Sequence, residues 1–333
     1  MFVIARWPSF MRPVLPRKNP EDFALRRVLR WRHGYRTMTF ADWRRLLLLA
    51  ALWGGSFIFI RVVAPVLGPL MTVEARVLIA GITLLLYARA IKARMDVRTW
   101  WPQYLVIGAL NSAVPFVLIS AAELHITASM AAILNATSPL FGAVISALWL
   151  KERLTPVKVA GIAIAIAGVA VLVGWSPIVY NTVTILSIGA SLTASLLYGL
   201  AGAYTKAKAK GAPPLGMAVC SQVAASLLIA PALPFAWPTA HPSHAVIACV
   251  FMLGLLSTGF AFVLYFRLIA DVGATKALTV TFLAPVFGVL WSALFLGEPV
   301  TLTKVLACGI ILLGTAAVTG AAFRSQEGSK ASS

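Results

Sequence analysis

The chain has 333 residues, of which 60% are hydrophobic and 11% are charged, and its mean hydropathy is +0.90. Soluble domains carry about 25% charged residues, so this composition excludes an ordinary soluble globular protein. The net charge of +18 would suit a nucleic-acid partner, but the basic residues lie in an N-terminal arm and in short loops beside apolar blocks. That placement is typical of a membrane protein and argues against nucleic-acid binding.

Residues 1–44 are predicted to be a basic cytoplasmic arm without regular structure. Eleven Arg and Lys residues and three Asp and Glu residues lie in residues 1–45. A secretory signal needs an apolar run of about 7–15 residues, and none precedes Leu46. The arm is either a solvated tail or a segment that contacts anionic lipid headgroups. Met38 leads directly into the first apolar block, so Met1 and Met38 are both candidate translation starts.

After the arm, apolar blocks of about 20 residues follow one another, a length that crosses a hydrocarbon core of about 30 Å. The pattern predicts an all-α integral membrane protein with ten transmembrane helices. The predicted spans are residues 45–64, 72–91, 102–122, 127–149, 156–174, 183–205, 214–236, 245–266, 274–296 and 301–322.

Basic residues occupy every second connection between these spans, whereas the third, fifth and seventh connections carry no Lys or Arg. Cytoplasmic loops are the basic ones in membrane proteins, so both termini are predicted to be cytoplasmic. Arg61, at the end of the first span, is the main exception. The basic residues of the even connections and the tail are Arg89, Lys92, Arg94, Arg98, Lys151, Arg153, Lys158, Lys206, Lys208, Lys210, Arg267, Lys276, Arg324 and Lys330.

Residues 128–168 align with residues 274–314, without a gap, when the chain is shifted by 146 residues. The matched pairs include Pro139 with Pro285, Gly142 with Gly288, Glu152 with Glu298 and Lys158 with Lys304. The match predicts two halves, residues 45–174 and 183–322, followed by a cytoplasmic tail at 323–333. Each half has an odd number of spans, so the halves must have inverted topology. Inverted repeats are typical of secondary transporters.

Several motifs resemble those of one transporter family. Trp53-Gly54-Gly55-Ser56-Phe57 is followed by a basic residue, Glu74-Ala-Arg76 opens the second span, and the regions of Pro139-Leu140-Phe141 and Gly297-Glu298-Pro299 repeat each other. Over residues 45–322 the chain resembles EamA-type members of the drug/metabolite transporter superfamily. The second half departs from the pattern, because its equivalent of the first motif reads Ser195-Leu-Leu-Tyr198-Gly199. The resemblance implies a ten-span inner-membrane carrier, commonly an exporter of metabolites, amino acids or drugs.

Polar, aromatic and helix-breaking residues within the spans are the candidates for a substrate pathway. A proline frees the carbonyl four residues earlier, which places polar Asn135 and Thr281 at the two freed positions. For each candidate the alternative is structural: a kink, an interfacial ring or a hydrogen bond between helices. The candidates are Trp53, Gly54, Phe57, Arg76, Asn111, Asn135, Pro139, Tyr198, Tyr265, Thr281 and Pro285.

Charges near the ends of the first two spans form a second set of candidates. Isolated charges in lipid are costly, so they should pair or face water. Arg61, Glu74 and Arg76 predict either a Glu74–Arg76 or Arg61–Glu74 ion pair at the outer mouth, or a cationic site for a substrate carboxylate. Glu123 and His125 are either solvated loop residues or proton carriers.

Two further sets of residues are predicted to be structural. Glu152 and Glu298 should cap helices or pair with basic loop residues. A stripe of small residues, Gly161, Ala165 and Gly168, should pack against the span that contains Ala307 and Gly314.

No enzyme signature is found in the sequence, which has no Walker loop, no metal-ligand cluster and no Ser-His-Asp spacing. Cys220, Cys249 and Cys308 each lie alone in an apolar block, so neither a disulfide nor a cofactor is expected. We therefore predict a secondary transporter that moves a small metabolite, amino acid or drug-like solute across the inner membrane by alternating access, and the resemblance to the EamA-type family implies that it is an exporter. Facilitated diffusion and proton exchange both remain open, so protons are a candidate coupling ion. Membrane lipids are expected to surround the chain, and the oligomeric state is left open. The alternatives are a non-transporting receptor or assembly subunit and a membrane-embedded lipid-modifying enzyme.

Overall fold

The computed structural model describes residues 38–175, 181–236, 238 and 241–331, and the regular structure in that part is entirely helical. The predictions for residues 1–37 lie outside the described residues. The helices are α1 (Phe40–Ala90), α2 (Val97–Ala122), α3 (Ala128–Asn135), α4 (Ser138–Leu150), α5 (Pro156–Trp175), α6 (Thr182–Lys208), α7 (Pro214–Ile229), α8 (His244–Val272), α9 (Ala274–Ala277), α10 (Val280–Leu296) and α11 (Leu302–Ala331). A 3₁₀ segment, Ala230–Phe235, extends α7.

Helix α1 begins before the predicted first span and joins the first two predicted spans. It runs for 51 residues through both of the first two predicted spans, with one interruption at Gly68, where φ is 75° and ψ is 161°. Only glycine adopts such a conformation easily, and prolines on both sides restrict the chain further. At its start, the Thr39 and Asp42 side chains form a capping box, which begins the helix at Phe40. The last five residues of the predicted arm therefore belong to α1.

Length and composition make eight helical stretches of the described chain capable of crossing a membrane, and α10 is a shorter apolar helix. From the third span on, each observed helical stretch begins within about five residues of the predicted start. Helix α11 continues from the predicted tenth span through most of the predicted tail, to Ala331. Large apolar side chains such as Leu148 and Leu313 are 79% and 68% exposed. An apolar exterior of this kind suits a lipid environment, in agreement with the predicted all-α membrane protein.

The predicted fourth span is two helices, α3 and α4, and hydroxyl groups bind the carbonyls freed at the break. Ser138 Oγ donates to the Asn135 carbonyl at 2.7 Å, and Thr315 Oγ1 of α11 donates to the Ala136 carbonyl at 3.2 Å. Pro139 lies in the first turn of α4, where its missing N–H costs little. The helix is therefore broken just before Pro139, and the Ser138 hydroxyl binds the Asn135 carbonyl.

Glycines let pairs of helices approach closely. A Cβ added to Gly161 of α5 would lie 2.7 Å from the carbonyl oxygen of Gly314 in α11, and one added to Gly168 would lie 2.7 Å from the side chain of Ile311. Gly314 in turn packs against Ala165. The small-residue stripe is thus a packing surface, as predicted.

Candidate functional site

Arg76 lies inside the helix bundle rather than at its mouth. It follows the break at Gly68 by eight residues, about 12 Å along the helix, and is only 7% exposed. Its Nε donates to Thr258 Oγ1 at 2.9 Å, and its guanidinium carbon lies 3.7 Å from the centre of the Phe116 ring. Within the described chain, Nη1 and Nη2 have no hydrogen-bond partner, and no Glu74–Arg76 or Arg61–Glu74 ion pair forms within 4.0 Å.

An aromatic wall and an acidic residue complete the surroundings of this guanidinium. The Phe116 and Tyr198 rings are 6.5 Å apart, centre to centre, which brings one predicted pathway tyrosine beside Arg76. The charge of Arg76 interacts with both Tyr198 and Glu123. A guanidinium with two unpaired donor groups, held against an aromatic face, is suited to binding a carboxylate through two parallel hydrogen bonds.

Glu74 faces α7 instead of Arg76. Ser226 Oγ donates to Glu74 Oε1 at 2.5 Å, and nearby Gln222 Nε2 donates to Ser112 Oγ at 2.9 Å. Several buried polar atoms in the described bundle have no protein partner, which is unusual for a packed core and typical of a ligand site or a polar pathway. These atoms include Glu74 Oε2, Gln222 Oε1 and the hydroxyls of Ser120, Ser191 and Ser257.

A π-helical segment of α8, Met252–Phe260, positions Thr258 for this contact. Because the segment is wound more loosely, Thr258 Oγ1 donates to the Leu253 carbonyl, five residues earlier, at 3.0 Å while it accepts from the arginine. A Cβ added to Gly254 would lie 2.7 Å from the Cβ of Ile79, so glycine allows α8 to approach α1 here. Such segments are frequent at functional sites. Thr258 and Phe116 are not among the residues predicted from the sequence, where the only signal is the polar Ser-Thr-Gly run inside an apolar block.

Trp53 and Tyr265 lie together, as two predicted pathway residues, but in a different cluster from Arg76. Their rings are 5.3 Å apart and the Phe262 ring is 6.4 Å from Trp53. Gly54 packs directly on α10, and Phe57 is 6% exposed in the largest buried cluster. These contacts favour helix packing for Gly54 and Phe57, and they leave Trp53 half-buried at the edge of the bundle core.

The remaining predicted pathway residues line no single site. Asn111 is half-buried in a second π-helical segment, Ala109–Ala113 of α2. Asn135 ends α3 at the break and is also half-buried, and Pro139 lines a surface cleft. Thr281 Oγ1 donates to the Leu278 carbonyl at 2.8 Å, which is a local contact. Pro285 is buried inside α10, which continues through it.

Glu123 and His125 differ sharply in environment. His125 is exposed, whereas Glu123 is 0% exposed and both its carboxylate oxygens lack a hydrogen-bond partner among the described residues. The backbone carbonyls of Glu123 and Ile126 accept from Arg61 Nη1, the latter at 3.5 Å. The solvated-loop interpretation is therefore wrong for Glu123, because the loop folds inward onto Arg61.

Glu152 and Glu298 make the predicted capping and pairing contacts. Glu152 pairs with Lys206, and Glu298 lies 3.5 Å from the Lys304 ammonium. Glu298 Oε1 also accepts from the Ala128 backbone N–H at 2.8 Å, which caps α3. No group of three or more His, Cys, Asp or Glu residues in the described part of the chain could hold a metal ion.

Comparisons with known proteins agree with a transporter architecture. Residues 45–174 and 185–320 each match the EamA-like transporter family. An "Uncharacterized transporter" of Archaeoglobus fulgidus is 28% identical over 82% of this chain and 96% of its own length. A "Probable terminal-alkyne amino-acid exporter" of Streptantibioticus cattleyicolor is 28% identical over 76% of this chain and 84% of its length.

Two further similarities bear on the membrane and on the fold. An "Uncharacterized inner membrane transporter" of Escherichia coli (strain K12) is 28% identical over 82% of this chain and 89% of its own length. A solved crystal structure covers 86% of this chain and 99% of that chain with a TM-score of 0.62 and 19% identity. At that identity, the crystal structure supports the fold alone.

Proposed function

This chain belongs to the EamA-like transporter family, and we propose that it exports a small carboxylate-bearing solute across the inner membrane by alternating access. The family and the named relatives make it a membrane transporter of the EamA type with a small-molecule substrate, which agrees with the expectation that it is not an enzyme. The substrate class, the direction and the mechanism are the proposal. One relative is named a probable terminal-alkyne amino-acid exporter, which supports both the direction and the carboxylate.

The observation that carries the proposal is the buried guanidinium of Arg76. A desolvated cation without an ion pair is costly in a membrane protein, and such residues mark substrate or ion pathways. The Phe116 face and Thr258 hold this cation in place but leave its Nη1 and Nη2 groups without partners in the described structure. A substrate carboxylate would supply the two acceptor oxygens that Nη1 and Nη2 lack.

The length of α1 supports ten spans. A straight helix of 51 residues would extend about 75 Å, more than twice the roughly 30 Å of a hydrocarbon core, so the break at Gly68 supports two spans. Those two, the seven further apolar stretches and α10 make ten.

Contacts between helices support halves of inverted topology. Gly54 of α1 packs on Gly288 of α10, and Gly199 of α6 packs on Gly142 of α4. Gly142 and Gly288 are 146 residues apart, and Gly54 and Gly199 are 145 apart. The first span of each half thus packs against the fourth span of the other half. Halves related in this way can close towards either side of the membrane, which is the basis of alternating access.

The rival functions are less well supported. A lipid-modifying enzyme needs clustered acid, base or metal-binding groups, and a receptor or assembly subunit has no use for an unpaired buried cation between exchangeable halves.

Glu123 is the candidate proton carrier, since burial raises the pKa of its carboxyl well above the usual range and it interacts with Arg61, Glu298 and Arg76.

Ligand-induced stabilisation of the purified protein tests the substrate class. We expect monocarboxylates in a metabolite panel, but not their amides, to raise the melting temperature by a few degrees at concentrations far above Kd. Arg76→Lys should abolish the shift, because an ammonium cannot replace the planar two-pronged donor. Arg45→Lys, which alters an arginine that pairs with Asp271 away from this site, is the control and should keep it. Equal stabilisation by acids and amides, or an unchanged shift in Arg76→Lys, would contradict the carboxylate site.

A further inference from the structure

Glu298 binds the start of α3 and joins the two halves of the chain at one end of the bundle. Its Oε1 accepts from the Ala128 N–H at 2.8 Å, and its Oε2 accepts from the Ser129 N–H at 3.2 Å and from the Ser129 hydroxyl. Lys304 Nζ lies 3.5 Å from Oε2 and donates to the Pro299 carbonyl at 3.2 Å. The Glu298 and Lys304 side chains are only 10% and 8% exposed. We call this region the Glu298 end.

The matching acid, Glu152, lies at the opposite end of α3 and α4, and it differs from Glu298 in its exposure and in its partners. Glu152 lies two residues after the end of α4 and corresponds to Glu298 when the chain is shifted by 146 residues. Its side chain is 34% exposed and pairs with Lys206, which is 56% exposed. Lys158, the counterpart of Lys304, makes no ion pair within the described chain. We call this region the Glu152 end.

The two ends also differ in how open they are. A cleft of about 150 Å³ opens at the Glu152 end, between α4, α5 and α11. It is lined by Pro139, Gly142, Ser146, Glu152, Lys158 and Thr319. At the Glu298 end the counterparts Pro285, Gly288 and Ser292 are buried, and Ser292 is 0% exposed. Equivalent sequences are therefore closed at one end and open at the other.

We propose that Glu298 and Glu152 are two exchangeable latches, of which one is closed in each conformation of the transporter. In the conformation described here, Glu298 closes its end by binding Ala128 and Ser129. In the opposite conformation Glu298 releases them, and Glu152 binds the matching segment, residues 274 and 275. This inference rests on the proposed alternating access but assigns residues that the transport proposal does not need.

The reason for the exchange is electrostatic. Each carboxylate can accept two backbone N–H groups only when its end is closed, and such charge-assisted hydrogen bonds are roughly twice as strong as neutral ones. When one latch breaks, its carboxylate and the N–H groups of the helix start must be solvated by water. The hydrogen bonds that form in the other latch, at the opposite end, compensate for those that are lost. Two latches of equal chemistry keep the two conformations close in free energy, which a reversible carrier requires.

Cysteine accessibility in vesicles tests the exchange without any substrate. The reporters are Ser146→Cys and its counterpart Ser292→Cys, each in a chain that carries Cys220→Ala, Cys249→Ala and Cys308→Ala. A membrane-impermeant maleimide is applied to each side, and the labelling rates are compared with Glu298→Gln and with the matched variant Glu152→Gln. Glutamine keeps the side-chain length but loses the charge and one acceptor oxygen.

We expect Glu298→Gln to raise labelling of Ser292→Cys about tenfold and to lower that of Ser146→Cys, because a lost charged hydrogen bond shifts a two-state equilibrium by about that factor. Glu152→Gln should shift both rates in the opposite direction. If Glu298→Gln yields no folded protein, Ser129→Ala weakens the same latch and should produce the same direction of change.

The exchange is overturned if Glu298→Gln exposes Ser292→Cys while labelling of Ser146→Cys stays constant, since Glu298 would then be only a local cap. It is also overturned if neither glutamine variant changes either rate. Solute flux measured in the same vesicles separates these outcomes from failure of the proposed function: flux with constant labelling rejects the latches and leaves transport intact.

Discussion

Arg76 is held by side chains from two other helices, and each contact has a distinct physical role. The Phe116 face of α2 compensates for part of the lost hydration through a cation–π contact, worth about 2 kcal/mol when desolvated. Thr258 of α8 fixes the rotation of the guanidinium through Nε, and the Tyr198 ring of α6 lies 6.5 Å from the Phe116 ring, centre to centre. The two outer nitrogens therefore keep a defined orientation without a protein partner in the described structure.

Thr258→Val should reduce carboxylate affinity about tenfold, because the isosteric change removes one hydrogen bond to a charged group and frees the guanidinium to rotate. Ligand titration followed by intrinsic fluorescence measures the effect. Thr83→Val is the matched control, since the Thr83 hydroxyl bonds only its own helix at the Ile79 carbonyl. Equal affinity in Thr258→Val and the wild type would remove Thr258 from the site.

Glu123→Gln tests the candidate proton carrier at the same scale. A buried glutamine cannot exchange a proton, so transport should lose its dependence on a pH gradient while solute-only exchange continues. Vesicle flux with and without a gradient gives the result, and His125→Gln, an exposed neighbour, is the control. A gradient effect that survives in Glu123→Gln would assign coupling to another group.

At the scale of helices, close packing at glycine is the main structural device. Gly161→Ala should destabilise the α5–α11 pair by about 1–3 kcal/mol, because the new methyl group would lie 2.7 Å from the Gly314 carbonyl oxygen. Gly309→Ala on α11 meets nothing within 4 Å and should leave stability nearly unchanged. Melting temperatures of the two purified variants in one detergent compare them directly. Equal melting temperatures would mean that the helices separate easily.

The helices were largely predictable because lipid imposes a length of about 20 apolar residues on each span. The continuity of α1 through Gly68 was not predictable, since a single residue with positive φ replaces the expected loop. The π-helical segment of α8 has no hydropathy signal, so the sequence indicated Arg76 but not its partner Thr258. Likewise, the inward fold of Glu123 depends on Arg61, 62 residues earlier in the chain, which no local pattern encodes.

For the whole molecule, the proposed topology places both termini and every even connection in the cytoplasm. A green fluorescent protein fused at the C-terminus or inserted after Gly211 should fluoresce, and alkaline phosphatase inserted after His241 should be active. As controls, the two reporters are exchanged: alkaline phosphatase at the C-terminus or after Gly211 should be inactive, and green fluorescent protein after His241 should not fluoresce. Phosphatase activity at Gly211 would reverse the orientation, and opposite locations for the two fluorescent sites would contradict ten spans.

Solute counterflow in proteoliposomes tests the central claim most directly. Vesicles preloaded with the carboxylate that stabilises the protein best are diluted into a trace of the same labelled solute. A carrier that exposes one site alternately to each side should accumulate the label transiently, and Arg76→Lys should abolish the overshoot with equal protein incorporation. No overshoot by the wild type, or an unchanged overshoot in Arg76→Lys, would contradict a carrier built around this site.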